Sequence, residues 1–150
     1  MHEPIILLVE DNADDVELTR HALRECQCAS QLVVMRDGKE ALDWLFQNER
    51  HQQPKPHALP AVVLLDLKLP KVNGLEVLQR MRNDPRTRRL PVVVLTSSTE
   101  EPDMQASYDL GANSYIQKPV DYAHFLEAVR QLGIYWTVLN EVPPAYRTSA

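Results

Sequence analysis

Five short apolar runs recur along the chain, and a stretch with helical spacing follows each of them. The runs cover residues 5–10, 31–35, 61–66, 91–96 and 114–118, and β-branched residues enrich most of them. Such runs are typical of strands that are buried on both faces. A strand followed by a helix, repeated five times, predicts an α/β fold in which a parallel sheet carries helices on both faces.

The stretches between the runs predict the inner faces of the helices and some of their ends. Asn12 is a candidate cap for the first helix, Gly74 opens the third, and Gly111 stops the fourth. The polar segment 48–60 carries three of the eleven prolines and is predicted to be a loop. Met104, Ala106 and Tyr108 mark the helical stretch that leads to Gly111. The positions expected on the inner faces of the other helices are Val16, Leu18, Thr19, Ala22 and Leu23; Ala41, Leu42, Leu45 and Phe46; Leu75, Val77, Leu78 and Met81; and Phe125, Leu126, Val129 and Leu132.

Length and composition narrow the class of protein. With 150 residues, 44% hydrophobic and 25% charged, the chain has the make-up of one soluble globular domain. The net charge of −5 argues against a general nucleic-acid binder, which would show a basic patch. The longest aliphatic run near the start has five residues, too few for a signal-peptide core or a membrane span. We therefore expect a cytoplasmic protein that binds neither nucleic acid nor membrane.

Cysteine and histidine are not predicted to carry chemistry. Cys26 and Cys28 form a C-x-C pair, which fits neither a redox C-x-x-C motif nor a four-ligand zinc site, so we expect reduced thiols. The five histidines are scattered, and no two have metal-ligand spacing on one predicted helix.

Polar side chains stand where the predicted strands end. Glu10 and Asp11 follow the first strand, Asp66 the third, Thr96 the fourth and Lys118 the fifth. Each has an ordinary explanation by itself: an acid can open a helix or a loop, a lysine can be solvated, and a threonine can end a strand. Ligands of open α/β sheets gather outside the carboxyl ends of the strands, however, so the convergence at one edge favours a functional site.

The residue types at this edge suit phosphoryl chemistry. Carboxylates without a nearby histidine or thiolate favour a hard cation such as Mg²⁺, which leaves room for a phosphoryl oxygen. Asp66 is central and could attack phosphorus to form an acyl phosphate. Lys118 could neutralise the phosphoryl charge as a point charge, and the Thr96 hydroxyl could donate to a phosphoryl oxygen.

Four motifs carry a resemblance to a known family. They are LLVEDN (7–12), LLDLKLPKVNGLEVL (64–78), VVVLTSS (92–98) and GANSYIQKP (111–119). In this order and spacing the chain resembles the receiver domain of a two-component response regulator over about residues 4–132. The resemblance implies a flavodoxin-like, doubly wound sheet of five parallel strands in the order 2-1-3-4-5.

The resemblance also implies the roles of residues at the carboxyl edge. Asp66 matches the phosphoacceptor, and Thr96 and Lys118 match the residues that act with it. Asp11 matches a direct ligand of Mg²⁺, and Glu10 matches its acidic neighbour, which usually acts through water. Asp66 and the backbone carbonyl of Lys68 match the remaining protein ligands of the metal.

A conformational switch follows from the same resemblance. Phosphotransfer from the phosphohistidine of a sensor histidine kinase to Asp66 would draw the Thr96 hydroxyl, and Tyr115 would move into the space that it leaves. The bond between Lys118 and Pro119 matches one that is cis in the family. Such a protein is a phosphoacceptor in a phosphorelay rather than an enzyme, because it catalyses only its own phosphotransfer and dephosphorylation.

The C-terminal residues suggest how the signal leaves the protein. We assign 1–132 to the receiver domain and 133–150 to a C-terminal extension, which is too short for a DNA-binding or enzymatic output domain. We expect output through protein–protein interaction and an extended last helix that forms a homodimer, because its apolar stripe continues beyond the receiver. The alternative is that the extension folds back over its own domain. The predicted interface residues are Phe125, Tyr135, Trp136 and Leu139.

The extension and the long 48–60 loop also resemble small stand-alone receivers, including those paired with phytochrome-type histidine kinases. Three other classes of protein fit the sequence less well: a pseudo-receiver, a hydrolase and a flavin-binding domain. The complete acid set, Thr96 and Lys118 argue against a pseudo-receiver that works without phosphorylation. Lys68 stands where a hydrolase of the haloacid dehalogenase type needs a second acid. The acidic EDNADD after the first strand would repel the phosphate of a flavin.

Overall fold

One parallel sheet forms the centre of the protein in a computed structural model that describes residues 4–25, 30–46, 59–97, 100–118 and 121–141. The strands are β1 (Ile5–Val9), β2 (Gln31–Met35), β3 (Val62–Leu65), β4 (Val92–Thr96) and β5 (Ser114–Gln117). The helices of the described residues are α1 (Ala13–Glu25), α2 (Gly38–Leu45), α3 (Gly74–Arg82), α4 (Glu101–Asp109) and α5 (Tyr122–Ile134). The strand order β2-β1-β3-β4-β5 confirms the predicted flavodoxin-like fold.

β1 and β3 are apolar throughout because each of their faces supports a separate core. Successive side chains of a strand point to opposite faces, so odd and even positions of β1 reach different helices. Leu7 and Val9 pack in a cluster with α2 and α3, whereas Ile6 and Leu8 pack with α1 and α5. The sheet is therefore covered on both sides, as the unbroken apolar runs predict.

Side-chain caps mark the start of α1, α2, α3 and α5. A side-chain oxygen accepts a backbone N–H three residues later, which satisfies a donor that the helix itself leaves free. The predicted cap is confirmed, since the Asn12 side chain accepts the Asp15 N–H at 3.1 Å. Gly74 opens α3 as predicted, and Gly111 follows α4 with a φ of +87°, a conformation that glycine adopts readily. The caps of α2, α3 and α5 are Asp37, Asn73 and Asp121.

The large apolar residues of α4 do not form a buried inner face. Met104 and Tyr108 are 40% and 48% exposed, whereas Ser107 is buried and its hydroxyl donates to the Asp103 carbonyl at 2.8 Å. Met104 and Tyr108 are four residues apart and share one exposed side of the helix, whereas Ala106 is two residues from each and lies on the opposite side. The apolar residues of α4 therefore never formed a single helical stripe.

The last helix is extended, as predicted, by a π-helical turn at Tyr135–Leu139. Phe125 is 4% exposed and lies in the core against the sheet, so it offers almost no surface to a partner, and its assignment to a dimer interface is corrected. Trp136 is partly buried against the same core, so the extension folds back in part over its own domain. Tyr135 remains 48% exposed. The side chain of Leu139 lies outside the described residues.

Some predictions fall on segments that the structure does not describe. Cys26, Cys28, Pro119 and most of the 48–60 loop lie outside the described residues. Among the described helices, none combines the length and the apolar character that crossing a bilayer requires. The proposed domain boundary at residue 132 falls within α5, which continues without interruption to Ile134.

Candidate functional site

Backbone hydrogen bonds beyond the strand ends hold three polar residues at the carboxyl edge of the sheet. The Glu10 N–H donates to the Met35 carbonyl at 2.9 Å, and the Asp66 N–H donates to the Val9 carbonyl at 3.1 Å. The Lys118 N–H donates to the Thr96 carbonyl at 2.6 Å. Each of Glu10, Asp66 and Lys118 is the first residue after its strand, so the sheet itself brings them to one edge.

A glycine keeps the loop after β3 close to the start of α3. A Cβ atom at Gly74 would lie 2.2 Å from the Asp66 carbonyl oxygen and 2.7 Å from the Leu67 Cα, closer than real Cβ atoms approach. The Gly74 N–H also donates to the Leu67 carbonyl at 2.9 Å. The position of Asp66 therefore depends on a residue without a side chain at the first turn of α3.

Three carboxylates converge at this edge. Glu10, Asp11 and Asp66 each offer an oxygen, and these oxygens all lie within 4.8 Å of one another. Glu10 and Asp66 are only 1% and 6% exposed, whereas Asp11 is exposed. The Asp66 Oδ1 accepts the Lys68 N–H at 3.2 Å, and the Glu10 Oε2 accepts the Asn12 N–H at 3.2 Å.

Burial raises the pKa of Glu10 to about 7. Its hydrogen bond to Lys118 lowers this pKa, and the negative charge of Asp66 raises it again. Loss of hydration disfavours the charged form of a buried carboxyl, and a second carboxylate nearby adds to that cost. The site therefore holds more negative charge than one lysine offsets.

Lys118 is the cation of the site. Its Nζ donates to the Glu10 Oε1 at 2.6 Å and to the Asp15 Oδ2 at 2.7 Å, and it lies 3.7 Å from the Asp66 Oδ2. Burial by itself would lower the pKa of Lys118, but the hydrogen bonds to Asp15 and Glu10 and the negative charges of Glu10 and Asp66 together outweigh burial and raise it. Lys118 is therefore a permanent positive charge beside Asp66.

The arrangement fits a hard divalent cation. Such ions prefer carboxylate and carbonyl oxygens, and two of the three carboxylates here are buried close together. A cation would favour the charged form of Glu10, whose pKa is raised by burial and, to a smaller extent, by the negative charge of Asp66. A cleft of about 490 Å³ opens directly over the acids and Lys118, and Lys68 and Ser97 form part of its wall.

The other predicted residues lie around this cleft or beneath it. Thr96 ends β4 and is fully buried, and Lys68 is exposed at the cleft wall. Tyr115 is half-buried on β5, with its ring centroid 6.5 Å from that of Tyr108. Tyr135 and Trp136 lie at the end of α5 and do not line the cleft.

Two residues of the site, Asp15 and Ser97, were not predicted from the sequence. Asp15 lies four residues after Asp11 in the first turn of α1, and its carboxylate hydrogen bonds with Lys118. Asp11 precedes the helix and Asp15 lies in its first turn, yet both line the cleft, and the run of acids after β1 is the sequence signal for them. Ser97 directly follows Thr96 and lines the cleft, whereas Thr96 does not.

Comparisons with known proteins agree with this geometry. A family model described as the response regulator receiver domain matches residues 6–130. The response regulator Rcp1 of Synechocystis sp. is 37% identical over 142 residues, which are 94% of this chain and 94% of Rcp1. The solved Mn²⁺-bound form of Rcp1 has a TM-score of 0.81 at 36% identity, covering 93% of this chain and 99% of that one.

Two further solved structures are similar. The phosphorylated cyanobacterial phytochrome response regulator RcpA has a TM-score of 0.84 at 37% identity, covering 95% of this chain and 99% of that chain. The bacteriophytochrome response regulator AtBRR is 52% identical, with a TM-score of 0.71, covering 94% of this chain and all of its own. The likeness extends over nearly the whole chain in each case.

Proposed function

Because the chain belongs to the response regulator receiver domain family, we propose that it is a single-domain response regulator that accepts a phosphoryl group on Asp66. The observation that carries this proposal is the position of the Asp66 carboxylate between two acids and an ammonium. Its Oδ2 lies 3.7 Å from the Lys118 Nζ, and an oxygen lies within 4.8 Å of those of Glu10 and Asp11.

The proposed reaction is an in-line transfer from the phosphohistidine of a sensor kinase. A carboxylate oxygen of Asp66 attacks phosphorus, and the new O–P bond forms as the P–N bond breaks. The electron pair of that bond leaves with the imidazole of the kinase. Lys118 stabilises the charge on the phosphoryl oxygens, and its short distance from Asp66 supports this role.

We propose Mg²⁺ as the cofactor. The residues that would hold it are Glu10, Asp11, Asp66 and the backbone carbonyl of Lys68. When bound, Mg²⁺ would supply positive charge that neutralises the transferring phosphoryl group. The oxygen-only donor set supports this assignment, as does the Mn²⁺-bound form of the relative Rcp1.

The switch is proposed to run from Thr96 to Tyr115. Thr96 pairs with Gln117 across β4 and β5, and Tyr115 pairs with Val94 in the same ladder. A change in the position of the Thr96 hydroxyl would therefore alter the packing of β5, where Tyr115 packs against Tyr108 of α4. Because Tyr108 is exposed, a partner protein that binds there would detect such a change.

The proposed partner is a sensor histidine kinase of the phytochrome type, in the cytoplasm. The support is the likeness to RcpA and AtBRR, which are phytochrome and bacteriophytochrome response regulators. Output is proposed to pass through protein contacts, without nucleic acid or membrane. We further propose a homodimer through the extension 133–150, where Tyr135 is 48% exposed and its ring meets that of Trp136 edge-on at 4.8 Å.

Incubation with acetyl phosphate tests the phosphoacceptor. We expect the intact mass to increase by one phosphoryl group in the presence of Mg²⁺ and not in EDTA. Asp66→Asn should abolish the increase, because an amide oxygen is a poor nucleophile. Asp14→Asn, at an exposed acid of α1, is the control and should gain one phosphoryl group to the same final extent as the wild type. Full labelling of Asp66→Asn would refute the assignment.

A further inference from the structure

Asp15 contacts the functional lysine without belonging to the group of acids that could share one cation. Its Oδ2 accepts a hydrogen bond from the Lys118 Nζ at 2.7 Å. The three carboxylates whose oxygens cluster within 4.8 Å are those of Glu10, Asp11 and Asp66. Asp15 therefore acts on the site through Lys118.

The hydrogen bonds of Lys118 are unevenly shared. An ammonium has three donors, and the distances to Glu10 and Asp15 are those of strong charge-assisted bonds, at 2.6 and 2.7 Å. The Asp66 Oδ2 is 3.7 Å away, roughly 1 Å beyond a hydrogen bond of this type. The hydrogen bonds to Glu10 and Asp15 thus keep the Lys118 ammonium beyond hydrogen-bond distance of Asp66, the proposed phosphoacceptor.

The two acids that hold Lys118 differ in how firmly they are placed. Glu10 is 1% exposed, and its second oxygen accepts the Asn12 N–H. The Asp15 side chain is 25% exposed, so it can exchange Lys118 for water at a lower cost. The backbone of Asp15 is fixed independently, because its N–H bonds to Asn12 and its carbonyl accepts the Thr19 hydroxyl.

We propose that Asp15 is a positioning residue that competes with Asp66 and its phosphoryl group for the Lys118 ammonium, and so slows phosphorylation of Asp66. The inference rests on the proposed function. In the transition state the phosphoryl oxygens gather charge and need the ammonium more than the ground state does. Because Asp15 occupies one donor of Lys118, part of that stabilisation is withheld until the contact between Asp15 and Lys118 opens.

Asp15→Asn separates this role from a general charge effect. The substitution keeps the shape of the side chain and removes its charge. Asp14→Asn is a matched control, because Asp14 is the preceding residue of the same helical turn, is exposed, and is not among the described partners of Lys118. Either substitution should lower the KM for the anionic donor acetyl phosphate by a similar factor, since each removes one negative charge near the cleft.

Only Asp15→Asn should raise the maximal rate of phosphorylation, by about fivefold, because only it releases Lys118. The rates are measured by intact mass across a range of acetyl phosphate concentrations at saturating Mg²⁺. The ¹⁵Nζ resonance of Lys118 is followed by NMR in the same variants. It should shift and exchange faster with water in Asp15→Asn, and remain unchanged in Asp14→Asn.

Equal maximal rates for the two variants, a slower Asp15→Asn, or an unaltered Lys118 resonance in Asp15→Asn would each overturn the inference. If neither the wild type nor the variants gain a phosphoryl group, the proposed function fails instead. The Lys118 resonance still decides in that case whether Asp15 positions the ammonium. Circular dichroism of both variants checks that the fold is intact.

Discussion

Glu10 and Asp11 at the carboxyl edge of the sheet differ in how many of their carboxylate oxygens accept hydrogen bonds from the protein. Both carboxylate oxygens of Glu10 accept hydrogen bonds, one from Lys118 and one from Asn12. Asp11 is exposed, and within the described part of the chain its carboxylate takes part in no hydrogen bond or ion pair. A metal would therefore meet free oxygens at Asp11 and occupied ones at Glu10.

This difference predicts unequal effects on Mg²⁺ binding. We expect Asp11→Asn to weaken Mg²⁺ binding about tenfold more than Glu10→Gln, because Asp11 would coordinate the ion directly and Glu10 through water. Isothermal titration calorimetry of both variants measures the two dissociation constants, with Asp14→Asn as the control for loss of one surface charge. Equal weakening would show that the two roles are wrongly assigned.

At the scale of single elements, capping residues determine how the helices start beside the site. The α5 helix begins four residues after Lys118, and its cap Asp121 accepts the His124 N–H at 2.9 Å. That backbone hydrogen bond, followed by the contact with the His124 side chain, lowers the pKa of Asp121 below its ordinary value of 3.8. The charged cap therefore stabilises the start of α5.

The lowered pKa gives a pH dependence with a definite sign. A carboxyl whose pKa is lower in the folded state contributes stability above its unfolded pKa, and this contribution is lost as the pH falls through the folded value. We expect the wild type to be more stable than Asp121→Asn at pH 7, and the gap to close below 3.8. Urea unfolding at several pH values between 7 and 3 measures the gap. A gap that stays constant with pH would contradict this account of the cap.

At the scale of the whole molecule, the described part of the C-terminal extension places one aromatic residue against the core and another at the surface. Trp136 packs partly against the cluster shared by α1, α5 and the sheet. Tyr135 is 48% exposed, and its ring is held edge-on against Trp136. Of these two described residues, Tyr135 is thus the one with surface exposed to a second copy of the chain, and its ring packs against that of Trp136.

The proposed homodimer can be tested at Tyr135. We expect Tyr135→Ala to weaken dimerisation by about fivefold or more, because a well-packed interface tyrosine typically contributes over 1 kcal/mol. Tyr108→Ala is a matched control, since Tyr108 is equally exposed at 48% but lies on α4. Sedimentation equilibrium at micromolar concentrations gives the dimer dissociation constants. A monomeric wild type, or equal weakening by the two substitutions, would refute the proposed interface.

The sequence by itself determined the order of the elements and the edge at which the polar residues meet. Buried parallel strands need apolar residues on both faces, so β1, β3 and β4 can be identified from composition alone. The carboxyl ends of parallel strands share one edge, and that rule brings Glu10, Asp66 and Lys118 together without any coordinates.

Tertiary structure alone decided which of these groups touch and which surfaces remain free. The sequence did not reveal that Lys118 bonds to Asp15 and Glu10 while lying 3.7 Å from Asp66. Nor did it reveal that Phe125 is buried within its own domain. The physical reason is that periodicity reports only how a residue is oriented within its own helix or strand. Distances between side chains on different elements depend on how those elements pack, to within the 1 Å that separates a hydrogen bond from a longer contact.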